Sequence, residues 1–528
     1  MNQQESRLSY FHENLPKEFL GKFAIQDGTL HISEDIRSNA NLGNYILKAR
    51  KHGLRRYAFH PPADFANKFS SMALRQRAGG NTLQRYATNL LQIAYDKRAS
   101  DIHIINMGSY AIIKMRTLGL LAEYEQLDAD TGSKLITMIF DSFGQQTATA
   151  NFSPLKRLDG RIVNPDILPQ GVHSVRIHTE PIQSDSREAG SFMALRLLYD
   201  STRATGTLKD RMTRLGFNNN QIESLQSLCK RGGLSLISGP TGHGKSTFLK
   251  HIMESMVENM PQKSYFSVED PPEYPIRGIC QIQVNTEKKE GESDTHALRS
   301  AAYSDAIAGA MRSDPDTLMI GEIRYAEAAV AAIDAALTGH GVWATIHASD
   351  SFAVVTRLEG LLRQARVSNP LDAICDSNVL SGLSYQRLIP VLCPKCKKRL
   401  SDLTGQEREI AVSRDLEDRL LSVIAPEQFG EIHVRGDGCE YCNNDGNIGL
   451  TVAAETVQLD HEILRHLRRG DKLRARKHWK EMHQGMSYVD HAIQKIGMGL
   501  VDPTDAETRL GVPLTHSQTF YKNDETDE

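Results

Sequence analysis

The sequence predicts an α/β protein: a doubly wound C-terminal domain preceded by an α+β domain and a small N-terminal one. Three observations carry that prediction. A glycine-rich octapeptide, Gly239 to Ser246 (GPTGHGKS), lies between an apolar run (Leu234, Leu236, Ile237) and residues at helical spacing (Phe248, Leu249, Ile252, Met253). Helical and short apolar segments alternate from Leu208 to about Leu500, as a parallel sheet with crossover helices requires. Before residue 200, period-two alternation dominates instead, which calls for a separate sheet.

Taken in order, residues 1–80 form a small N-terminal domain with an alternating piece at Phe23–Ile32 and a helical piece at Leu42–His52. Residues 81–200 open on a helix (Leu83, Ala87, Leu90, Leu91, Ala94). Strand-like alternation follows from Ser100 through Ile104 to Ile112, Lys114 and Arg116, and again at Val172–His178 and Phe192–Leu198. Residues 201–207 are polar and contain Gly206, as a linker would. The doubly wound domain occupies 208–500 with a cysteine-bearing insertion at 388–450, and 501–528 form a polar tail that from Thr515 is too poor in apolar residues to order.

A chain of 528 residues exceeds what one core organises. With 62 basic against 65 acidic residues, the bulk charge gives no reason to expect a direct nucleic-acid partner, and the basic run Arg465–Lys480 reads as a solvated helix face. No apolar run approaches the ~18 residues that span a bilayer, and the N-terminus has no signal-peptide pattern, so a cytoplasmic location is expected. The seven cysteines are therefore expected to be reduced, with Cys229, Cys280 and Cys375 as ordinary buried small residues.

The octapeptide is a phosphate loop. Glycines at 239, 242 and 244 let backbone N–H groups converge on phosphate oxygens at a helix N-terminus. Pro240, Thr241, His243 and Thr247 complete the loop, Lys245 brings a charge to the β and γ phosphates, and Ser246 offers its hydroxyl to Mg²⁺. Hydrolysis also needs acidic groups at neighbouring strand ends. Leu318–Ile320 delivers Glu322, the candidate for activating water, and Tyr265–Tyr274 (YFSVEDPPEY) delivers Glu269, Asp270 and Glu273. Gly321 stands where a metal-binding Asp is usual, so Mg²⁺ is expected on Ser246, water and this second acidic group. Downstream, TGHGVWATIHAS places His340 and His347 near the γ-phosphate, His347 with a sensing role. Cys393, Cys396, Cys439 and Cys442 have the pairwise spacing of a Cys₄ zinc site.

In their order these boxes resemble the secretion ATPase superfamily of type IV pilus assembly and type II secretion. The resemblance runs from about Leu83 to Glu455 through ASDIHI (Ala99–Ile104), Asp159-Gly160-Arg161, Val175-Arg176, Leu195-Arg196-Leu197, the phosphate loop, EDPPEY, GEIR, TGH…IHAS and Gln386-Arg387-Leu388. It implies a RecA-like doubly wound domain behind a PAS-like α+β N2 domain, assembled as a homo-hexamer with ATP between them. Arg161 and Arg176 would reach its phosphates, with Arg196 as a weaker candidate. It also implies work at the cytoplasmic face of the inner membrane on a platform protein, together with other pilus or secretion components.

The tetracysteine insertion favours assembly or secretion over retraction. Tyr325, Ser349, Asn447, Leu450 and His243 depart from the family pattern, Glu455 keeps it, and the set is similar to ATPases of plasmid-encoded thin pili. Two further function classes are open to such a chain: a hexameric DNA translocase or helicase, and a nucleotide-gated scaffold that hydrolyses weakly.

Overall fold

The computed structural model describes residues 22–26, 29–39, 42–43, 46–47, 56–65, 80–146, 151–187, 189–199, 206–284, 295–516 and 518. Most of the helical piece expected at Leu42–His52, the start of the expected linker and the last ten residues lie outside them. The chain divides into two compact units, Met1–Asp200 and Ser201–Glu528.

The first unit holds two sheets. A small one joins β1 (Phe23–Gln26), β2 (Thr29–Ser33) and β3 (Arg56–His60), with β2 antiparallel to β1 and parallel to β3. The larger follows helix α1 (Gly80–Asp96) and comprises β4 (Ala99–Asn106), β5 (Tyr110–Thr117), β6 (Leu120–Asp128), β7 (Gln145–Gln146), β8 (Leu158–Ile162), β9 (Val172–Ile182) and β10 (Gly190–Tyr199). Helix α2 (Ala129–Met138) lies between β6 and β7 in sequence. Its seven strands run in the order β6-β5-β4-β10-β9-β8-β7, antiparallel throughout. One face is apolar because alternate residues (Ile102, Ile104, Ile113, Val175, Ile177, Met193, Leu195) share a core with Leu90, Leu91, Leu135 and Ile136 of the two helices. The other face carries the charged residues.

The second unit is wound around a seven-stranded sheet. Helices α3 (Leu208–Leu215) and α4 (Asn219–Leu228) lead into β11 (Gly233–Ser238), followed by α5 (Lys245–Asn259), β12 (Tyr265–Glu269), β13 (Cys280–Gln283), α6 (Thr295–Met311), β14 (Thr317–Ile320), α7 (Ala326–Leu337), β15 (Gly341–Ile346), α8 (Ala353–Gln364) and β16 (Leu380–Leu392). The strand order is β13-β12-β14-β15-β11-β16-β19, where β19 (Asn447–Gln458) closes the edge antiparallel to β16 and the other six are parallel. Every residue of β11, β14 and β15 is buried, since helices cover both faces. Leu234, Leu236, Leu318, Ile320, Val342 and Ala344 face α6, α7 and α8. Ile237, Met319 and Trp343 face the other way, onto Phe248, Leu249, Ile252 and Met253 of α5.

Between β16 and β19 the chain forms the cysteine-bearing insertion, with a short ladder of β17 (Lys398–Arg399) and β18 (His433–Val434) and helix α9 (Arg414–Val423). After β19 come α10 (His461–Arg468), α11 (Lys472–His483), α12 (Tyr488–Gly497) and α13 (Pro503–Leu510). The expectation of a polar tail from residue 501 is corrected here. Val501, Ala506, Leu510 and Leu514 are buried against Tyr385, Ile389 and the insertion's Leu400, Leu416 and Leu420. Apolar residues this thinly spread among polar ones do not stand out in composition, yet α13 turns Ala506 and Leu510 inward, and Val501 and Leu514 on either side of it join the same core. Cys280 is corrected too: it is exposed, because β13 is an edge strand, whereas Cys375 is buried and Cys229 half-buried.

Candidate functional site

Parallel pairing puts the carboxyl ends of β12, β14, β15 and β11 at one edge of the sheet. Ser238 lies opposite Ile346, Ile320 opposite Ala344 and Val268. The residues that follow these strand ends (Gly239, His347, Glu322) therefore gather with Glu269 at that edge, the usual position for a ligand in an open α/β sheet. His340 does not. It precedes β15, roughly 20 Å away along a six-residue strand at ~3.3 Å per residue, and its Nδ1 lies 2.9 Å from Thr338 Oγ1 and 3.1 Å from the Ala335 carbonyl. The expectation that both histidines sit near the γ-phosphate thus fails for His340, which terminates α7.

The phosphate loop folds as its glycines demand. Gly239 has φ 146°, and a Cβ there would stand 2.4 Å from the Gln386 carbonyl oxygen, so no larger residue fits. Gly244 caps α5 at φ 76°. Lys245 is buried, and its Nζ donates to the carbonyls of Gly239 (2.8 Å) and Pro240 (3.0 Å). Burial lowers its pKa to about 8, while Glu322 and Glu273 act to hold the proton on. Thr241 and Gly242 are exposed at the loop tip, and Ser246 and Thr247 are half-buried in the first turn of α5.

Glu322 is gripped from two sides, by Arg324 (2.6 Å) and by His347 Nε2 (3.2 Å). Burial opposes its ionisation, but Arg324, His347 and Lys245 prevail and hold the carboxyl below its ordinary value. Glu269 behaves oppositely: burial raises its pKa although Gln281 (2.9 Å) and Ser267 (2.7 Å) donate to Oε1. Two carboxyl groups pushed apart in this way suit different roles. The His347 pKa is lowered by burial and by Lys245, against Glu322 and a hydrogen bond to the Gly239 backbone. Asp270 is exposed and Glu273 half-buried in the turn after β12.

Three contributors are not among the expected site residues. Tyr303 of α6 puts its hydroxyl 3.4 Å from the Glu322 amide and 3.3 Å from the Val268 carbonyl, tying the two acidic strand ends together. Arg324, although inside the GEIR box, emerges as the ionic partner of Glu322. Gln386 reaches back from β16 to the His243 carbonyl (2.6 Å).

His243 itself accepts the Leu388 amide at Nδ1 (2.9 Å). Burial, with Arg387, Arg509 and Lys245, lowers its pKa to about 4, so the ring is neutral and able to accept. Replacing it with Ala is expected to destabilise the full chain by about 1 kcal/mol, the net worth of one such bond. An unfolded chain protonates this ring from about pH 6.5 and the folded one only near pH 4, so wild-type stability falls through that window on acidification. Denaturant titrations should show the gap between wild type and His243→Ala narrowing over that window.

The four cysteines converge in the insertion. Sγ–Sγ separations are 3.7 Å for Cys393–Cys439, 3.8 Å for Cys396–Cys442 and 3.7 Å for Cys439–Cys442. A disulfide needs ~2.05 Å, whereas a tetrahedron with ~2.3 Å zinc–sulfur bonds has edges of ~3.8 Å. The amides of Cys439 and Gly446 point at Cys442 Sγ (both 3.2 Å), as thiolate ligands favour. The residues fit a zinc ion.

Arg161, Arg176 and Arg196 belong to the first unit, where β8, β9 and β10 pair them side by side in one cross-strand row. Arg161 donates to Ser174 Oγ (3.0 and 2.9 Å), and Arg196 is bound to the buried Asp101 (2.9 Å).

A family profile described as type II/IV secretion system protein matches residues 76–507. The chain belongs to that family. Among its family relatives, the type II secretion system protein E of Aeromonas hydrophila is 30% identical over 383 residues, covering 72% of this chain and 66% of that protein. The type IV pilus assembly ATPase TfpB of Acinetobacter baylyi is 30% identical over 374 residues, 70% of this chain and 56% of its own length. The match thus spans just under two thirds of the first relative and little over half of the second. Among solved structures, the ATPase DotB of Legionella pneumophila superposes with a TM-score of 0.52 at 18% identity, over 81% of this chain and 96% of that one, a likeness of fold. Among the described residues of this family member, no helix is long and apolar enough to cross a membrane.

Proposed function

We propose that the chain is a Mg²⁺-dependent ATPase that drives assembly of a type IV pilus, of the thin-pilus kind, or of a type II secretion pseudopilus. The observation that carries this reading is the meeting of Lys245, Glu322 and His347 at the carboxyl ends of adjacent parallel strands. Lys245 supplies positive charge to the β and γ phosphates once they displace it from the loop carbonyls. Glu322, ionised and held by Arg324 and His347, orients the attacking water and receives its proton. His347, paired with Glu322 and hydrogen-bonded to the Gly239 backbone, senses whether the loop is loaded. Ser246, Asp270 and Glu273 would hold Mg²⁺, which supplies charge neutralisation at the phosphate oxygens.

In this reading the motor is a homo-hexamer at the cytoplasmic face of the inner membrane. Arg161 and Arg176 complete the nucleotide site and an inner-membrane platform protein receives the work; the names of the relatives support that assignment. The cysteine cluster holds one structural zinc ion. The test is Mg²⁺-dependent ATP hydrolysis by the full chain beside Lys245→Ala. Turnover is expected to fall to background in the variant, since the loop charge on the transferring phosphate is lost. Wild-type turnover no greater than the variant's rejects the ATPase, tight nucleotide binding without turnover favours the gated scaffold, and DNA-stimulated turnover favours a translocase.

A further inference from the structure

Outside the nucleotide and cysteine sites, one cluster of metal-ligating side chains converges on a point. Asp460 Oδ2 lies 3.0 Å from His478 Nε2 and 2.6 Å from His483 Nε2, and the three donor atoms all fall within 4.8 Å of one another. We propose that Asp460, His478 and His483 form a second metal site, for a borderline divalent ion such as Zn²⁺, Co²⁺ or Ni²⁺, that pins the amino end of α10 to the carboxyl end of α11.

The donor set is the first reason. Two imidazole nitrogens and one carboxylate oxygen suit these ions, which bind such atoms at ~2.0–2.2 Å and leave a fourth position to water. Donors arranged tetrahedrally at that radius stand ~3.3 Å apart, so the two separations from Asp460 Oδ2, 3.0 and 2.6 Å, need to widen only by tenths of an ångström to take in an ion. The two rings are tilted at 62° with centroids 5.9 Å apart, as imidazoles arranged around one centre are.

The second reason is that the scaffold holds each donor in place. Asp460 caps α10 by accepting the Ile463 amide at Oδ1 (2.7 Å), which leaves Oδ2 turned to the histidines. The end of α11 is set by Trp479, buried on Phe352 with ring centroids 5.8 Å apart. Beyond His483 the chain turns through Gln484 at φ 50°, and a Cβ on Gly485 would meet the Trp479 ring at 2.4 Å, so the turn is closely fitted. Nearby cations have carboxylates of their own: Lys480 pairs with Asp490 (3.3 Å) and Arg474 with Asp471 (3.4 Å). Asp460 is left to the two histidines. The cluster contains no sulfur, so it is chemically distinguishable from the cysteine site.

The experiment equilibrates the full chain with excess Zn²⁺, removes free metal and counts bound ions. About two per chain are expected for wild type, and about one for His478→Ala and for His483→Ala, with the cysteines keeping theirs. Both histidines are partly exposed, so the variants should fold; unchanged circular dichroism checks this. Independently of any variant, Co²⁺ added to wild type that holds zinc on its cysteines alone, the Asp460 site having been stripped by mild chelation and the chelator removed, should give ligand-field bands of nitrogen and oxygen coordination without thiolate charge transfer. One ion in wild type and variants alike, two in all of them, or no such cobalt spectrum would overturn the proposal.

Discussion

Glu322→Gln is expected to lower ATP turnover by about 10²–10⁴-fold, the usual worth of a positioned general base, while nucleotide binding persists. The substitution keeps the shape of the side chain and removes its capacity to take a proton. Binding persists because the loop, its glycines and Lys245 are untouched. Arg324 and His347 lose a charged partner, so their own contacts loosen, while Lys245 keeps its bonds to the loop carbonyls of Gly239 and Pro240. The check is steady-state turnover beside calorimetric titration of a nucleotide analogue. Turnover within a few-fold of wild type would remove Glu322 from the mechanism. The pH profile adds a second reading: the Glu322 pKa is depressed, so its carboxylate is present above the ordinary value and lost only as pH falls below it. Activity that depends on this group should hold through pH 4.5 and decline on the acid side of it.

Much of this site was legible in the sequence because strand ends and helix starts leave local signals. Gly239 and Gly244 mark backbone that only glycine supports, and Leu318–Ile320 is a fully buried strand whose next charged residue must appear at the sheet edge. What could not be read is what long-range pairing decides. Tyr303 acts from the middle of α6, where nothing local separates it from a core tyrosine, and Gln386 acts from a strand far along the chain. His340 misled because closeness in sequence to His347 says nothing about which end of β15 a residue occupies. In the first unit the row Arg161, Arg176 and Arg196 follows from strand register, which alternation alone leaves open.

Replacing Cys393 and Cys442 together with Ser should empty the cluster and loosen the insertion, with bound zinc falling from about one ion per chain to none once the Asp460 site is stripped by mild chelation. The cost should exceed by far the ~1 kcal/mol of an average substitution, because structural zinc in small peptides contributes roughly 10–16 kcal/mol of apparent binding energy. The insertion will not unfold outright. Leu400, Leu416, Leu420, Ile432 and Val434 give it an apolar core continuous with Tyr385 and Ile389. Amide hydrogen exchange across residues 393–446 should therefore accelerate by more than tenfold, or ~1.4 kcal/mol, while β11, β14 and β15 keep their protection. Wild-type protein prepared without chelator that carries no zinc on its cysteines would refute the assignment.

β16 has a mechanical consequence. It is hydrogen-bonded to β19 from Gly382 to Leu392, receives the His243 ring at Leu388, and runs directly into Cys393. The spacer between phosphate loop and thiol cluster is thus a stiff beam about 17 Å long at ~3.3 Å per residue, broken by one bulge at Val391–Leu392. Its length is quantised. Adding or deleting a single residue would turn every later side chain to the opposite face unless a bulge absorbed the change, as one does at Val391–Leu392.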